Sequence, residues 1–233
     1  MRDLEQRYTS GVVEVREAPG AKRVGGYAAK FNTKSQNLGG FVERIAPGFF
    51  DKSAADGWPG VMARYNHDDN FLLGTTRGST LRLVIDGTGL DYEADLPNTR
   101  AAQDVFELVA RGDVAHSSFA FYTFEDDWAL DEHGFPMRTL VSGRLVDVAP
   151  VNSPAYLDTS TGLRSLAASR EVEVSDVERL ARSNDLAKLL TPTPLVIDLG
   201  ARATDSESAG QAQATSPVRL QVMRRVLEMK QPR

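Results

Sequence analysis

Adjacent serines Ser117 and Ser118, and the three histidines His67, His116 and His133, are the residues of this chain suited to nucleophilic chemistry. A serine hydroxyl becomes a useful nucleophile when a nearby base removes its proton, and the base works best when a third group fixes its tautomer and orientation. The stretch GDVAHSSFAF, residues 112–121, places His116, Ser117 and Ser118 inside a run that otherwise reads as a buried strand carrying Phe119 and Phe121 on one side. His116 and Ser118 share a face of such a strand roughly 7 Å apart at Cα, a separation that a direct hydrogen bond spans only with favourable rotamers. A histidine from another strand approaches more freely. ARYNHDDNFLLGTT supplies one, His67, beside Asn66, Asp68 and Asp69 at an expected strand end. In SGRLVDVAPVNSPAY, the alternation puts Asp147 on the face opposite Val146 and Val148, where a carboxylate either meets solvent or receives an imidazole N–H. From residue types alone the bland reading stands beside this one: Ser and His are ordinary strand residues, and a lone His near acids is usually a surface group.

Other chemistries lack their residues. The chain has no cysteine, which excludes disulfides, thiolate nucleophiles and Cys-ligated zinc. The histidines stand in no metal-binding spacing, so no metal is expected. Neither a GxGxxG nor a Walker-type loop occurs, so no nucleotide or other cofactor is expected, and there is no GxSxG elbow of the kind used by esterases.

The elements that must position these groups are short and β-rich. With 233 residues, 41% hydrophobic and 25% charged, the composition suits a globular domain with a real core followed by an appendage. A formal net charge of -5 argues against nucleic acid as a partner. No apolar run approaches the roughly 20 residues needed to cross a bilayer, and MRDLEQRYTS lacks a signal-peptide segment, so an intracellular protein without a membrane partner is expected.

From Val12 to about Ala155 short alternating segments are separated by Gly, Asp, Asn and Pro, the pattern of an antiparallel β domain. TLRLVIDGTGLDYEADL reads as a hairpin: Leu81, Leu83 and Ile85 share one face, and Leu90, Tyr92, Ala94 and Leu96 alternate with acids. Two helices interrupt the strands. APGFFDKSAADG offers Pro47 as a start and Gly57 as a stop. PNTRAAQDVFELVARGD offers Asn98 or Thr99 as a cap, the stripe Ala102, Val105, Phe106 and Val109, and Gly112 as a terminator. After Tyr156 the texture becomes charge-rich and then polar, and SPVRLQVMRRVLEMKQ recovers a basic amphipathic pattern. The expected organisation is a domain over residues 1–165, a charged, partly helical and disordered linker over 166–215, and a basic terminal helix over 216–233.

The order of NHD and LLG, the GTGLDYEADLP hairpin, a helix ending ARGDVAHSSFAF, and LVDVAPVNSPAYLDT resembles the prohead (capsid maturation) proteases of tailed phages of the HK97 type, over roughly residues 24–164. The resemblance implies a β-rich α+β fold, an antiparallel β-barrel with flanking helices related to the herpesvirus assembly proteases, with a helical or disordered C-terminal tail. It implies a serine endopeptidase that cleaves a scaffold protein or the scaffolding segment of the major capsid protein precursor, with self-cleavage, in the host cytoplasm inside the assembling prohead. It also chooses among the candidates. A serine followed by Phe-small-Phe matches Ser118, Phe119, Ala120 and Phe121, making Ser118 the nucleophile and leaving Ser117 at a position that is often Met.

The histidine of the upstream block falls on His67, the general base, with His116 a bystander or substrate-side group. Asp147 becomes the orienting acid, where many relatives carry the longer Glu. Backbone amides near Ser118 are candidate oxyanion donors, and Arg164 is a further candidate because related viral proteases use arginine-bearing loops near the site. Related viral proteases often gain activity on association, so a homo-oligomer is among the expected partners. The rival from another class is a catalytically silent scaffold or capsid-binding module with the same barrel, against which the presence of His67, Ser118 and Asp147 argues.

Overall fold

The computed structural model describes residues 3–9, 13–16, 21–153 and 160–191. The described strands are β1 (Glu5–Thr9), β2 (Val13–Val15), β3 (Arg23–Lys30), β4 (Val42–Ile45), β5 (Met62–Arg64), β6 (Leu72–Thr75), β7 (Leu81–Ile85), β8 (Gly89–Asp95), β9 (His116–Leu130) and β10 (Pro136–Val151). The helices are α1 (Asp51–Ala55), α2 (Arg100–Arg111), α3 (Ser160–Arg170), α4 (Val174–Arg182) and α5 (Ala187–Leu190). The fold is β-rich α+β. Its hydrogen-bonded ladders define two sheets among the described residues rather than one closed barrel: β1-β9-β10-β5-β6 with β4 also on β10, and β2-β3-β8-β7.

Not every pairing is antiparallel. β10 receives β4 alongside Met137–Leu140 and β5 alongside Asp147 and Val148, both in parallel register. The sixteen-residue length of β10 makes this possible: its two halves accept β4 and β5 in turn. The chain crosses between them through α1, and parallel neighbours require such a crossover rather than a tight turn.

The hairpin of β7 and β8 pairs Leu81 with Ala94, Leu83 with Tyr92 and Ile85 with Leu90, the set expected to share a face. In α2 the Thr99 side chain accepts from the Ala102 amide, Ala102, Val105, Phe106 and Val109 are buried, and Gly112 closes the helix at φ +82°, a conformation without steric cost only for glycine. The first helix is shorter than its sequence suggests. It covers only Asp51–Ala55 and starts after Phe50, so Pro47 sits in the preceding turn rather than at the helix start.

The main core lies between the sheets and includes Phe49, Phe50, Phe119, Phe121, Tyr92 and Leu145. A second cluster joins Leu38, Phe41 and Trp128 to Leu163, Leu166, Val177 and Leu186 of the C-terminal helices. The first part of the charged segment after residue 165 is thus helical and packed. The chain divides into units of residues 1–193 and 194–233; the expected linker beyond Thr191 and the terminal helix over 216–233 lie outside the described residues.

Candidate active site

Ser118 is delivered by β9. Phe119 and Phe121 stack at 4.8 Å in the main core and meet Phe50 and Phe49 edge-on at 5.7 and 5.3 Å. Alternation then sends Ser118 out of the opposite face of the strand. Ser117 turns to the phenylalanine side, where its hydroxyl donates to Tyr92 Oη at 3.3 Å. The two serines are therefore separated by the pleat: one bonds to the core and one faces the histidine.

Asp147 reaches the face of Ser118 through a bulge. β10 pairs Leu145 with Phe121 and then Asp147 with Ala120, leaving Val146 as an extra residue. Without that insertion Asp147 would stand opposite Phe119, on the core face, because a one-residue slip exchanges the faces of a strand. With it, Asp147 and Ala149 share a face with Ala120 and Ser118.

His67 arrives on a single 3-10 turn, Tyr65–His67, that follows β5. Asn66 and His67 both adopt left-handed backbone angles, φ 54° and 58°, each costing on the order of 1–2 kcal/mol for a residue with a Cβ. Neighbouring contacts hold the turn: the Asn152 amide donates to Asn66 Oδ1 at 3.2 Å, and Tyr65 packs edge-on against Phe71 at 6.1 Å.

The result brings the three side chains together. His67 Nε2 lies 2.6 Å from Ser118 Oγ, and His67 Nδ1 lies 2.6 Å from Asp147 Oδ1. Ser118 and Asp147 are fully buried, and the His67 side chain is 7% exposed. A carboxylate only accepts hydrogen bonds, so Nδ1 carries the proton that it donates to Asp147, and Nε2 is left to accept from the Ser118 hydroxyl. The same hydroxyl lies 2.9 Å from the main-chain carbonyl of Arg7 in β1. It has one proton, so these two acceptors compete for it.

The other oxygen of Asp147, Oδ2, is ion-paired with Arg64 Nη2, and Arg64 Nη1 reaches Asp69 Oδ1. Burial pushes the His67 imidazole down from its ordinary value to about 4, with the Arg64 charge acting in the same direction. Asp147 alone would favour imidazolium; the guanidinium on its far oxygen offsets that pull. The ring is therefore neutral, and basic at Nε2, through the whole neutral range.

A titration of the His67 ring protons should accordingly show a midpoint near 4. The sign for stability follows. Between the folded midpoint and the unfolded value of 6.5 the unfolded chain binds the extra proton. Stability is therefore complete above about pH 6.5 and falls by about 3 kcal/mol as pH drops towards 4. Denaturant midpoints measured at several pH values would check the slope.

The remaining candidates stand apart. His116 is half-buried, two positions upstream of Ser118, with its ring edge-on to Tyr8 at 6.5 Å. His133 is exposed beside Glu132 in the connection between β9 and β10. Arg164 pairs with Asp3 and donates to Ser160 and Thr161. At Ser118 β9 is paired on both sides, with Tyr8 and with Ala149, so its own amide faces a partner strand whichever way it points. Arg64 was not among the residues singled out from sequence. Its place follows from the sheet, where Met62, two residues before it, pairs with Asp147. Among the described residues no group of His, Cys, Asp and Glu is placed to hold a metal, and no helix is long and apolar enough to cross a membrane.

A neutral imidazole seated between a buried serine and a buried aspartate is the equipment of a serine hydrolase. The family can also be stated: the chain belongs to the caudovirus prohead serine proteases, whose family profile matches residues 12–173. It is a serine protease with a role in phage capsid maturation. Among solved structures it is similar to the bacteriophage T4 capsid assembly protease, gp21, at 9% sequence identity and a TM-score of 0.46, over 64% of this chain and 97% of that chain. No curated protein matches the sequence.

Proposed function

We propose that this protease cuts a scaffold protein, or the scaffolding segment of the major capsid protein precursor, inside the assembling prohead in the host cytoplasm, with Ser118, His67 and Asp147 as its triad. The observation that carries the reading is the His67 ring, bonded at 2.6 Å to Ser118 Oγ on one nitrogen and at 2.6 Å to Asp147 Oδ1 on the other.

His67 Nε2 takes the hydroxyl proton as Ser118 Oγ bonds to the scissile carbonyl carbon. Asp147 stabilises the imidazolium so formed. The imidazolium gives its proton to the departing amine, the C–N bond breaks, and the acyl group remains on Ser118. Water then repeats the sequence: His67 takes a proton from it, its oxygen attacks the ester carbon, and the proton returns to Ser118 Oγ as the new carboxyl terminus leaves. The barrel relationship to the herpesvirus assembly proteases belongs to this reading, as do association into a homo-oligomer and self-cleavage of the C-terminal segment. The polar stretch ARATDSESAGQAQATSP followed by a basic amphipathic pattern suits a tether to capsid subunits, which would raise local substrate concentration without a tight site.

The test joins chemistry to substrate. A serine-directed phosphonate should modify the active protein at Ser118, as mapped by peptide mass. Co-expression with the cognate capsid precursor, followed by intact-mass analysis, should show the precursor shortened. A label placed elsewhere would remove the site assignment; an uncut precursor alongside a labelled Ser118 would remove the substrate.

A further inference from the structure

We propose that Arg64 is a positioning residue for this site: it grips the second oxygen of Asp147 so that the first stays on His67 Nδ1, and it balances the buried carboxylate so that the imidazole need not. The inference rests on the triad reading above and deepens it.

The geometry starts with strand phase. β5 runs parallel to β10 with Met62 beside Asp147 and Ala63 beside Val148. Two residues on from Met62, Arg64 returns to the face of Asp147, its backbone still extended at φ -135° and ψ 141°. Its side chain is 10% exposed and that of Asp147 is not exposed at all. Arg64 Nε and Asp147 Oδ2 are both buried with no hydrogen-bond partner, so the two Nη groups alone set the guanidinium, one held to Asp147 by charge as an ion pair and one on Asp69. Asp69 is 84% exposed, and solvent screens its charge. It therefore orients the guanidinium more than it neutralises it. The planar fork of arginine spans two carboxylates at once; a lysine ammonium on a flexible stem does not fix both directions.

Charge balance makes the same point. Among the described residues, the charged groups that contact His67 or its partner are Asp147 on β10 and Arg64 on β5, with Asp69 behind Arg64. Ser118 on β9 is neutral, His116 lies further along the same strand face, and Asp68, next to His67 in sequence, turns its carboxylate to the amide and side chain of Asn70. Asp147 and Arg64 cancel. Without Arg64 a fully buried carboxylate would have, among the described residues in contact with it, the imidazole to balance it, and a buried charge is costly enough to draw a proton there. The base would then take up its proton at a higher pH than in the wild type, narrowing the range over which it is free. Arg64 contacts neither the nucleophile nor the imidazole itself in these interactions, so its loss should act on kcat and leave KM alone.

The experiment uses the full chain, and its three histidines make an imidazole titration by NMR readable. In Arg64→Met the His67 midpoint should rise by about one to two pH units, since pairing or unpairing a nearby charge shifts pKa by that much. The acid limb of the pH–kcat profile should move with it. At pH 8 kcat should fall about tenfold with KM unchanged, because a loosened orienter misplaces the base. Arg64→Lys should keep the low midpoint, with kcat between those of Arg64→Met and wild type.

A folded Arg64→Met protein with the wild-type midpoint overturns the proposal, as does a raised KM at unchanged kcat, which would mark a substrate contact instead. If Arg64→Met does not fold, Arg64→Lys decides, and a wild-type kcat in it overturns the proposal. Phosphonate labelling of the wild-type protein separates the two levels. Loss of the Ser118 label removes the triad itself, whereas a labelled Ser118 with an unmoved midpoint removes only the role of Arg64.

Discussion

Replacing Ser118 by alanine is expected to lower proteolysis by about 10⁴-fold or more, since removing the nucleophile of a Ser-His-Asp system costs nearly all of its covalent catalysis. The fold should survive. The hydroxyl sits beside Arg7 O at 2.9 Å and His67 Nε2 at 2.6 Å, and since its one proton serves one of them at a time, deleting it leaves one buried acceptor short of a donor. That costs on the order of 1–3 kcal/mol, well within the stability of a domain of this size. Intact-mass analysis of a co-expressed capsid precursor should show cleavage with the wild type and none with Ser118→Ala. Ser117→Ala makes the contrast: its hydroxyl is turned to Tyr92, so processing should continue at close to the wild-type rate. A Ser118→Ala protein that processes at the normal rate would sink the site. The same spectra report on self-cleavage: truncation of the protease in the wild type, with a full-length chain in Ser118→Ala, is the expected pair of results.

Local features of this chain were legible in sequence because their causes are local. The α2 helix carries its own start in Thr99, its own stop in Gly112 and its buried face in Ala102, Val105, Phe106 and Val109. The β7–β8 hairpin likewise carries its own turn and alternation. Features set by distant neighbours were not. Nothing in FVERIAPG or GVMARYN announces that both β4 and β5 lie parallel on one long strand. The bulge at Val146, which moves Asp147 to the face of Ser118, is a property of pairing with β9 and leaves no mark in LVDVAP. The choice of Ser118 over Ser117 came from resemblance, since two adjacent hydroxyls look alike until the pleat separates them. Arg64 was missed because an arginine beside a turn reads as solvent-facing; its importance depends on the burial of Asp147, which is far away in the sequence. A fainter signal lies elsewhere in the sequence. Glu43 stands between Phe41 and Ile45 on the inward face of its strand, and all three are buried; a carboxylate in an apolar alternation calls for a buried cation.

That cation leads to the second large effect: Arg138→Met should destabilise the protein by about 3–5 kcal/mol, the cost of leaving buried charges uncompensated. Arg138 is fully buried and bonds Glu5 Oε2 at 2.6 Å, Glu43 Oε2 at 3.0 Å and Asp126 Oδ2 at 2.5 Å. Arg7 completes the network, bonding Glu43 Oε1 at 2.7 Å and Glu5 Oε2 at 2.9 Å. Three carboxylates share two guanidinium groups, so removing one cation leaves an excess that one arginine cannot cover. In a domain of this size the melting temperature should drop by about 10 °C.

The pH dependence separates a charge effect from a packing effect. Burial pushes the Glu5 carboxyl up, and the hydrogen bond and charge of Arg138, with Arg7 and Thr123, more than reverse this, so its pKa is lowered in the native protein. A depressed carboxylate lends stability that is present above its unfolded value of 4.5 and is lost as pH falls through the lower folded value. Without Arg138 the upward push of burial is left much less opposed. The folded carboxyl then titrates higher, and the deficit should be largest at neutral pH and shrink as pH falls towards 4.

Cavity formation alone would give a deficit independent of pH. A Glu5→Gln, Arg138→Met double variant should recover part of the loss, because it removes the stranded charge along with its partner. Activity is coupled to the same network. Glu5 and Arg7 anchor β1, whose Tyr8 pairs with Ser118 and whose Arg7 carbonyl lies against the Ser118 hydroxyl. Loosening β1 should therefore lower proteolysis at temperatures where Arg138→Met is still folded, with kcat falling before the circular dichroism signal does.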